Sequence, residues 1–340
     1  AWSNSLFENN AEFSYGMCLA VKQLRAAVTD YVHQLDDMTE NAAVKAAIAK
    51  WLETYDDLDA STPATQELLH LLESETFSAQ EQALVDEILK RRKDMSKKTM
   101  WMYGGDGWAY DIGYGGLDHV FAMGEDVNVL LVDTEVYSNT GGQNSKATPM
   151  GAVAKFAAGG KPSHKKDLAK IAMDYENVFV AKVAYGAKDV HTLKTFLDAE
   201  SYPGVSIIIA YSPCIAHGVD MSFNLHQQDL AVKSGHWPLL RYDPRLREQG
   251  RNPLSVDSAA PSVPYRDFAR NEARFTVLER QNPEASTRFL DEAERHARHR
   301  HHEYTELAAL PGIDEAAPES AAKEDAAPQA AARTGDTQNG

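Results

Sequence analysis

The hydrophobic positions in the first hundred residues repeat at the spacing of α-helices. Apolar side chains recur every three or four residues in one stripe before residue 36 and in another between residues 44 and 52. The first stripe contains Met17, Val21, Leu24, Val28, Val32 and Leu35. Pro63 suits the first turn of a third helix, and Ser78 with Glu81 has the form of a capping box before a fourth. We therefore predict a helical segment over residues 1–98.

The pattern changes to strands separated by helices over residues 99–253. Apolar runs predict strands at residues 100–103, 127–132, 178–183 and 205–211. The intervening stretches have helical spacing, with Ile112, Leu117, Val120 and Phe121 in one and Val190, Leu193, Phe196 and Leu197 in another. The run at 205–211 is continuously apolar, which is typical of a strand covered on both faces of a parallel sheet. These residues therefore predict an α/β domain with a mostly parallel sheet and helices on both faces.

Residues after 253 predict two further segments. Apolar positions at helical spacing over residues 254–310 indicate a C-terminal helical extension that docks on the sheet domain. Its histidine cluster is His296, His299, His301 and His302. Such a cluster can bind metal, but its mixture with arginines favours a solvated helix face. Residues 311–340 are mostly Ala, Pro, Glu, Asp and Gln and predict a disordered tail.

Charge and cysteine content exclude several classes of protein. The chain has 34 basic and 50 acidic residues, and its net charge of −16 argues against nucleic acid as the main partner. No apolar stretch is long enough to cross a membrane, and the first residues do not have the form of a secretion signal. Two cysteines are too few for a disulfide framework and suit a reducing compartment. We therefore expect a cytoplasmic protein.

A glycine turn follows the first predicted strand. Glycines at the carboxyl end of a parallel strand let the backbone approach a ligand, and the next helix offers free N–H groups to a phosphate. Asp106, between Gly105 and Gly107, would then lie beside the phosphate, which makes electrostatic sense only with a hard cation such as Mg²⁺ between them. Thr134, after the next strand, offers a second oxygen. A Gly-Asp-Gly turn alone more often only shapes a loop.

These residues carry a family resemblance. The segments GDGWAYDIGYGGLDHV and DTEVYSNTGGQNSKATPMGAVAKFAAGGK closely resemble the thiamine-diphosphate domain near the carboxyl end of pyruvate:ferredoxin (flavodoxin) oxidoreductase. The resemblance extends from Asn4 to about Pro253 and includes AVKSGHWPLLRYDPRL. It implies the thiamine-diphosphate-binding fold, with thiamine diphosphate and Mg²⁺ as cofactors.

The resemblance assigns roles to the residues of the two loops. It implies that Mg²⁺ is bound by Asp106, the Thr134 hydroxyl and the Val136 carbonyl. The other residues that it places around the cofactor are Gly105, Gly107, Trp108, Glu135, Tyr137, Ser138 and Asn139. Asn139 resembles the asparagine beside pyruvate, where its amide can hydrogen-bond a carboxylate or a developing oxyanion. Without the resemblance, Asn139 would be interpreted only as support for the turn before Gly141.

Cys214 follows the apolar strand at 205–211. One cysteine after a strand is more often inert than a metal ligand. The segment YSPCIAHG, however, resembles the family segment whose cysteine is the last thiolate of a [4Fe–4S] cluster, which usually has four. The family's other three thiolates lie upstream of this chain, and Cys18 belongs to none of those motifs. We therefore expect the chain to be the carboxyl-terminal piece of a larger polypeptide, inactive by itself.

The lysine-rich segment that begins at Gly159 has two interpretations. Its lysines could receive an anion such as a coenzyme or an acidic electron carrier. Alternatively, Ser163 caps a helix and the following lysines lie on its surface, and we favour this second interpretation.

The function that the resemblance implies is oxidative decarboxylation of pyruvate. The products are acetyl-CoA and CO₂, and electrons pass singly through [4Fe–4S] clusters to ferredoxin or flavodoxin. Pyruvate, coenzyme A and the remaining domains of the parent enzyme are the implied partners, and a homodimer is expected. Two alternatives remain: a thiamine-diphosphate decarboxylase or synthase without redox function, and a non-catalytic assembly module.

Overall fold

Four helices form the first part of the chain in the computed structural model, which describes residues 11–312. They are α1 (Ala11–Met38), α2 (Ala42–Glu53), α3 (Leu58–Ser74) and α4 (Ala79–Lys90). The four helices share a hydrophobic core that includes Val28, Leu35, Ile48, Trp51, Leu68, Val85 and Ile88. The predicted capping box is present, because Ser78 Oγ accepts from the Glu81 N–H and Glu81 accepts from the Ser78 N–H. The helical segment is therefore confirmed over the described residues.

Two details of this segment differ from the sequence prediction. Met17 and Leu24 of the predicted stripe are 51% and 45% exposed, whereas Tyr15 and Cys18 are buried. The reason is that α1 packs on two partners: its first half contacts the sheet domain and its second half contacts α4, so its buried face shifts along the helix. Pro63 lies inside α3 and not in its first turn, because the helix starts five residues earlier, after the N-cap Asp57.

The rest of the described chain alternates strands with helices. The strands are β1 (Trp101–Gly105), β2 (Val127–Asp133), β3 (Phe179–Val183), β4 (Val205–Tyr211), β5 (Leu240–Tyr242) and β6 (Leu254–Val256). The helices are α5 (Tyr114–Met123), α6 (Leu168–Met173), α7 (Asp189–Glu200), α8 (Asn224–Lys233), α9 (Tyr265–Ala269), α10 (Ala273–Gln281) and α11 (Pro283–Ala309). A π-helix, Gly107–Ile112, follows β1. No helix within residues 11–312 is long and apolar enough to span a bilayer.

The six strands form one mixed sheet. Their order is β1-β2-β4-β3-β5-β6, and β1, β2, β4 and β3 are parallel. Strand β5 pairs antiparallel with β3, and β6 pairs antiparallel with β5. The register pairs Gly105 with Val132 and Asp133 with Tyr211, so β1, β2 and β4 end at the same edge. The loops that follow these three strands therefore meet at the carboxyl edge of the sheet, where α/β proteins bind ligands.

Helices cover both faces of the sheet, as predicted. The larger core joins residues of β2 and β4, such as Val129 and Ile207, to α5, α6 and α11. On the opposite face, Ala181 and Ile208 pack with Ala199 of α7. The stripe predicted to mark a face of α7 points outward, because Val190, Leu193 and Leu197 are exposed while His191, Thr195 and Ala199 are buried.

The segment after β5 is part of the same structure. The last strand, β6, lies just beyond the predicted boundary at residue 253, so the division into domains stays a prediction. Helix α11 packs into the larger core through Leu290, Ala293, Ala297 and Tyr304. His299 and His302 are exposed, as expected for a solvated face, whereas His296 and His301 are half-buried because His296 stacks on His164 and His301 contacts the Ser258 carbonyl. Residues 313–340, most of the predicted disordered tail, lie outside the described residues.

Asp257 ties α7 to the antiparallel edge of the sheet. It accepts from His191 Nε2 at 2.9 Å and from Arg241 Nε at 2.8 Å and Nη2 at 3.1 Å. Although burial opposes its charge, hydrogen bonds from His191 and Arg241 lower the pKa of Asp257 to about 2. The folded protein therefore holds a stronger acid than the unfolded chain, and the resulting stability is present above pH ~4 and is lost between pH ~4 and ~2.

We expect Asp257→Asn to lower the free energy of unfolding at pH 7 by about 1–2 kcal/mol, a range reduced for solvent screening. Urea unfolding at pH 7 and pH 3 measures this effect, and the difference from wild type should shrink at the lower pH. Asp229→Asn is the control, because Asp229 forms a more exposed pair with Lys233 on α8. Its effect should stay below ~0.5 kcal/mol. An equal loss at both pH values would contradict the assignment.

Candidate functional site

Three oxygen atoms converge where the loops after β1 and β2 meet. The Thr134 hydroxyl oxygen lies 2.8 Å from Asp106 Oδ1 and 3.1 Å from the Val136 carbonyl oxygen. On the other side, the Ser145 hydroxyl donates to Asp106 Oδ2 at 2.9 Å. A threonine hydroxyl has one proton, so it can donate to only one of its two neighbouring acceptors. The structure thus brings the three predicted ligands together. One of the two contacts made by the Thr134 oxygen has no proton and cannot be a hydrogen bond.

The Asp106 carboxylate is buried without a cationic partner. It is 2% exposed, and no Lys or Arg within residues 11–312 forms an ion pair with it. Burial, and then the nearby Asp133, raises the pKa of Asp106 to about 7. The Thr134 hydroxyl, the charge of Lys165 and the Ser145 hydroxyl oppose this rise only in part. A cation placed among the three oxygens would stabilise the charged form.

Aromatic rings explain the glycines of the turn. A Cβ on Gly107 would lie 2.2 Å from the Tyr137 ring, and one on Gly104 would lie 1.9 Å from the Trp108 ring. Gly105 has open space on the corresponding side. Trp108 is buried, and its Nε1–H finds no acceptor among the described residues. The predicted residues of the turn therefore form a tightly packed wall beside the three oxygens.

The Glu135 side chain points away from the three oxygens into the protein. It is fully buried and accepts from Lys165 Nζ, His236 Nε2 and Arg274 Nη2 at 3.1, 3.1 and 2.8 Å. Although burial opposes its charge, His236, Lys165 and Arg274 hold the pKa of Glu135 well below its usual value. Its part in the site is therefore indirect, since it fixes the backbone between Thr134 and Val136.

Asp133 is the neighbouring carboxylate of the same buried cluster. It accepts from Tyr110 at 2.8 Å, from Lys165 at 2.7 Å and from the Glu135 N–H at 3.0 Å. Sequence reasoning missed this role, and it also missed Lys165, His236 and Arg274. A charged residue is normally interpreted as exposed unless its partner is known. Only the pairing of separate chain segments identifies these residues.

The lysine-rich segment is not an ordinary surface. Helix α6 starts after Asp167, whose side chain accepts from the Lys170 N–H, so the predicted Ser163 cap is wrong. Lys165 is buried in the ion pairs just described. Lys161 is also buried and donates to the Lys146 and Thr148 carbonyls, and burial followed by repulsion from Lys165 lowers its pKa to about 8. The prediction of a lysine surface is therefore wrong for Lys161 and Lys165. Both side chains are buried, and polar groups from other parts of the chain replace the water that they lose.

Ser138 and Asn139 are neighbours in the site loop, but their side chains have different surroundings. Asn139 is exposed at the tip of the turn that the backbone of Tyr137 and Gln143 closes. Ser138 is half-buried, and its Oγ lies 3.0 Å from Cys214 Sγ. The structure therefore places Ser138 against the β4 loop and leaves the Asn139 amide facing outward.

Cys214 lies at the same edge, after β4. Its sulfur also accepts the Ala216 N–H at 3.4 Å, and the residue is 8% exposed. Cys18, the other cysteine, is buried in α1 and contacts the Asp126 carbonyl at 3.7 Å. No group of three or more His, Cys, Asp or Glu side chains within residues 11–312 is arranged to hold a metal ion. The described part of the chain thus offers a cluster at most one thiolate at this edge.

Comparison with known proteins agrees with this geometry. The family model of the thiamine pyrophosphate enzyme C-terminal TPP binding domain matches residues 89–210, which contain Asp106, Thr134 and Val136. Pyruvate:ferredoxin oxidoreductase of Moorella thermoacetica is 48% identical over 312 residues, covering 91% of this chain and 26% of that protein. Pyruvate-flavodoxin oxidoreductase of Trichormus variabilis is 48% identical over 318 residues, with the same coverage of both chains. That of Klebsiella pneumoniae is 42% identical over 312 residues, again with 91% and 26% coverage.

The matched oxidoreductases are much longer than this chain. The chain spans about a quarter of the length of the curated relatives it matches. Among solved structures, 2-oxoglutarate:ferredoxin oxidoreductase from Magnetococcus marinus matches with 24% identity and a TM-score of 0.32. The matched region covers 33% of this chain and 38% of that protein's chain. That similarity is too limited to support a conclusion about function. Residues 89–210 therefore match the thiamine pyrophosphate enzyme C-terminal TPP binding domain, and the chain as a whole is similar to about a quarter of the length of the pyruvate:ferredoxin and pyruvate-flavodoxin oxidoreductases.

Proposed function

We propose that this chain is the part of a pyruvate:ferredoxin or pyruvate-flavodoxin oxidoreductase that binds thiamine diphosphate through Mg²⁺. The observation that carries the proposal is the convergence of Asp106, Thr134 and Val136 oxygens at 2.8 and 3.1 Å. Adjacent ligands of an octahedral magnesium at ~2.1 Å lie about 3.0 Å apart. The two observed distances from the Thr134 oxygen suit adjacent ligands of such an ion.

Charge supports a divalent cation at this position. Asp106, Asp133, Glu135 and Glu272 are buried carboxylates, and the cations that contact this set are Lys165 and Arg274. Burial lowers the pKa of His236, which favours the neutral ring as the donor to Glu135. The carboxylates of this set then outnumber its fixed cations by two, an excess that favours binding of a divalent cation.

The remaining loop residues hold and orient the cofactor and the substrate. Bound thiamine diphosphate supplies the carbanion chemistry that releases CO₂ from a 2-oxo acid. Gly105 and Gly107 let the backbone approach the diphosphate, while Trp108 and Tyr137 form the wall behind it. The exposed Asn139 amide is free to hydrogen-bond the carboxylate or the developing oxyanion of the substrate.

Cys214 supplies one thiolate of a [4Fe–4S] cluster in this proposal. The Ala216 N–H and the Ser138 hydroxyl lie within reach of its sulfur, and both can donate to a thiolate. A cluster at this position would be next to the loop that holds the cofactor, so electrons would have a short path out of the site. The other three thiolates come from parts of the enzyme beyond this chain.

The wider activity belongs to the whole enzyme. We propose pyruvate and coenzyme A as substrates and ferredoxin or flavodoxin as the electron acceptor, following the names of the relatives. The remaining domains complete the thiamine site and the clusters, and a cytoplasmic homodimer stays our expectation. This chain by itself is inactive in this proposal.

Thiamine-diphosphate binding should require the divalent metal and the Thr134 hydroxyl. In the natural protein that contains this chain, calorimetric titration should show binding with Mg²⁺ and none after removal of metal with EDTA. Thr134→Val should weaken binding about tenfold or more, since an interaction with a charged group contributes roughly 1.5–3 kcal/mol. Thr134→Ser keeps the hydroxyl and is the matched control, with affinity near wild type.

Other outcomes would favour the alternative functions. Binding of thiamine diphosphate without metal would contradict the assignment of Asp106, Thr134 and Val136 as magnesium ligands. Equal affinity in the Thr134→Val and Thr134→Ser variants would contradict it as well. Binding of cofactor to a protein without iron would favour a decarboxylase or synthase without redox function. A protein that binds neither cofactor nor iron would be better explained as an assembly module.

A further inference from the structure

We propose that Glu272, Ala273 and Arg274, here called the C-terminal clasp, position the Mg²⁺-binding loop and the Cys214 segment relative to each other. The inference rests on the proposed function and extends it to residues outside the matched domain, which ends at residue 210. The clasp consists of the N-cap and the first two residues of α10, and it contacts three segments of the loops that follow β2 and β4. Arg274 is a positioning residue in this proposal, since it acts through Glu135.

The first contact is with Glu135. Arg274 Nη2 donates to Glu135 Oε2 at 2.8 Å, while its Nε donates to Glu272 Oε2 at 2.6 Å. The exposed fractions of the Arg274, Glu135 and Glu272 side chains are 4%, 0% and 0%. One guanidinium therefore bridges two buried carboxylates, and its planar group orients both.

Glu135 needs such support because its backbone is strained. Its φ of 59° lies in the left-handed region, which costs a residue other than glycine about 1–3 kcal/mol and persists only where the surroundings fix it. The residues on either side of Glu135 provide the Thr134 hydroxyl and the Val136 carbonyl. Rotation of the Glu135 backbone would separate these two oxygens, so the contact with Arg274 holds the ligand geometry.

The second contact is with the Cys214 segment. The Ala273 N–H donates to the Gly218 carbonyl at 3.2 Å. Gly218 has a φ of 65°, and a Cβ there would lie 2.4 Å from the Ala273 Cβ, so the two backbones approach as closely as glycine permits. The clasp thus fixes the end of the turn that begins at Cys214.

His217 joins the two clasped loops directly. This buried ring faces the Thr134 carbonyl through Nε2 and the Cys214 N–H through Nδ1, the latter at 3.4 Å. Nδ1 also lies 3.8 Å from Glu272 Oε1. The clasp, His217 and Glu135 therefore form one buried network that contacts both the metal loop and the cysteine loop.

The third contact is with a later part of the loop that follows β2. The Val153 N–H donates to the Arg274 carbonyl at 2.7 Å, which attaches the clasp to the loop after Ser145. The following helices reinforce the same network, because Arg300 of α11 donates to the carbonyls of Gly235 and His236. Tyr265 of α9 contacts the other ring nitrogen of His236 at 2.9 Å.

Arg274→Lys tests the clasp while keeping its charge. A lysine can contact one of the two carboxylates but cannot bridge them in the plane of a guanidinium. In the natural protein we expect its affinity for Mn²⁺, a paramagnetic substitute for Mg²⁺, measured with thiamine diphosphate by EPR, to fall about 10- to 100-fold, as for other residues that orient metal ligands. Amide hydrogen exchange should speed up in residues 134–138 and 214–218.

The control is Arg270→Gln, four residues earlier, where Arg270 forms an exposed pair with Glu279. Its metal affinity, amide exchange and melting temperature should match those of wild type. Should Arg274→Lys fail to fold, Glu272→Gln takes its place. It keeps a neutral acceptor for Arg274, and the same changes are expected to be smaller but in the same direction.

The outcomes separate the clasp from the proposed function. Wild-type affinity and exchange in a folded Arg274→Lys or Glu272→Gln variant would overturn the clasp and leave the proposed function intact. A lower melting temperature with unchanged metal affinity would mean a structural role only, which also overturns it. A wild-type protein that binds no Mn²⁺ with thiamine diphosphate would overturn the proposed function, and the inference with it.

Discussion

Asp106→Asn is expected to abolish Mg²⁺-dependent binding of thiamine diphosphate. The substitution keeps the shape of the side chain and removes the charge that faces the Thr134 hydroxyl and the Val136 carbonyl. Mg²⁺ would then be buried with neutral oxygens from this chain. Leaving a buried charge without its partner costs about 3–5 kcal/mol, so affinity should fall by roughly two to four orders of magnitude.

Loss of binding must be separated from loss of folding. Burial and Asp133 raise the pKa of Asp106 to about 7, so at pH 8 the carboxylate is ionised in both states and only the folded state bears the burial cost. Without metal, the asparagine variant should therefore melt no lower than wild type at pH 8. Asp111→Asn is the control, because Asp111 pairs with Lys146 and contacts none of the three oxygens. Unchanged affinity in a calorimetric titration of Asp106→Asn would refute the assignment.

Cys214→Ser is expected to remove one cluster from the complete enzyme. The change replaces the sulfur that lies beside Ser138 and the Ala216 N–H with oxygen, a poor ligand for a cluster normally held by four thiolates. Iron content per polypeptide should fall by about four atoms, the complement of one [4Fe–4S] cluster. Thiamine-diphosphate binding should remain, because the oxygen ligands are unchanged.

Cys18→Ser is the matched control for this loss. Cys18 is also a buried free thiol, but it lies in α1 and contacts the Asp126 carbonyl. Burial raises the pKa of its thiol, which makes it a poor metal ligand. Iron content in this variant should equal that of wild type. Unaltered iron in Cys214→Ser, or equal losses in both variants, would refute the role of Cys214.

The location of the site could be predicted from the sequence because its signals are local. A continuous apolar run predicted β4, and a glycine turn after β1 and a polar loop after β2 placed Asp106 and Thr134 at strand ends. Parallel strands bring their carboxyl ends to one edge, so these residues had to meet. The sequence also determined the helical segment, whose periodicity and capping box depend on neighbours along the chain.

The support of the site was decided by the tertiary structure alone. Arg274 and Glu135 are 139 positions apart, and nothing in the local sequence of either indicates the other. The same is true of Lys165, which looked like a surface lysine and is buried between Asp133 and Glu135. Outward-facing Val190 on α7 is the converse case, where an apolar residue is exposed.

The physical reason is that burial of a charge depends on its partner. A carboxylate or guanidinium leaves water only where an opposite charge and hydrogen bonds replace its hydration, and those groups come from whichever segment the fold places beside it. Local spacing therefore determined where the strands end and which oxygens face the ligand. Only the folded chain decided which charged side chains hold those oxygens in place.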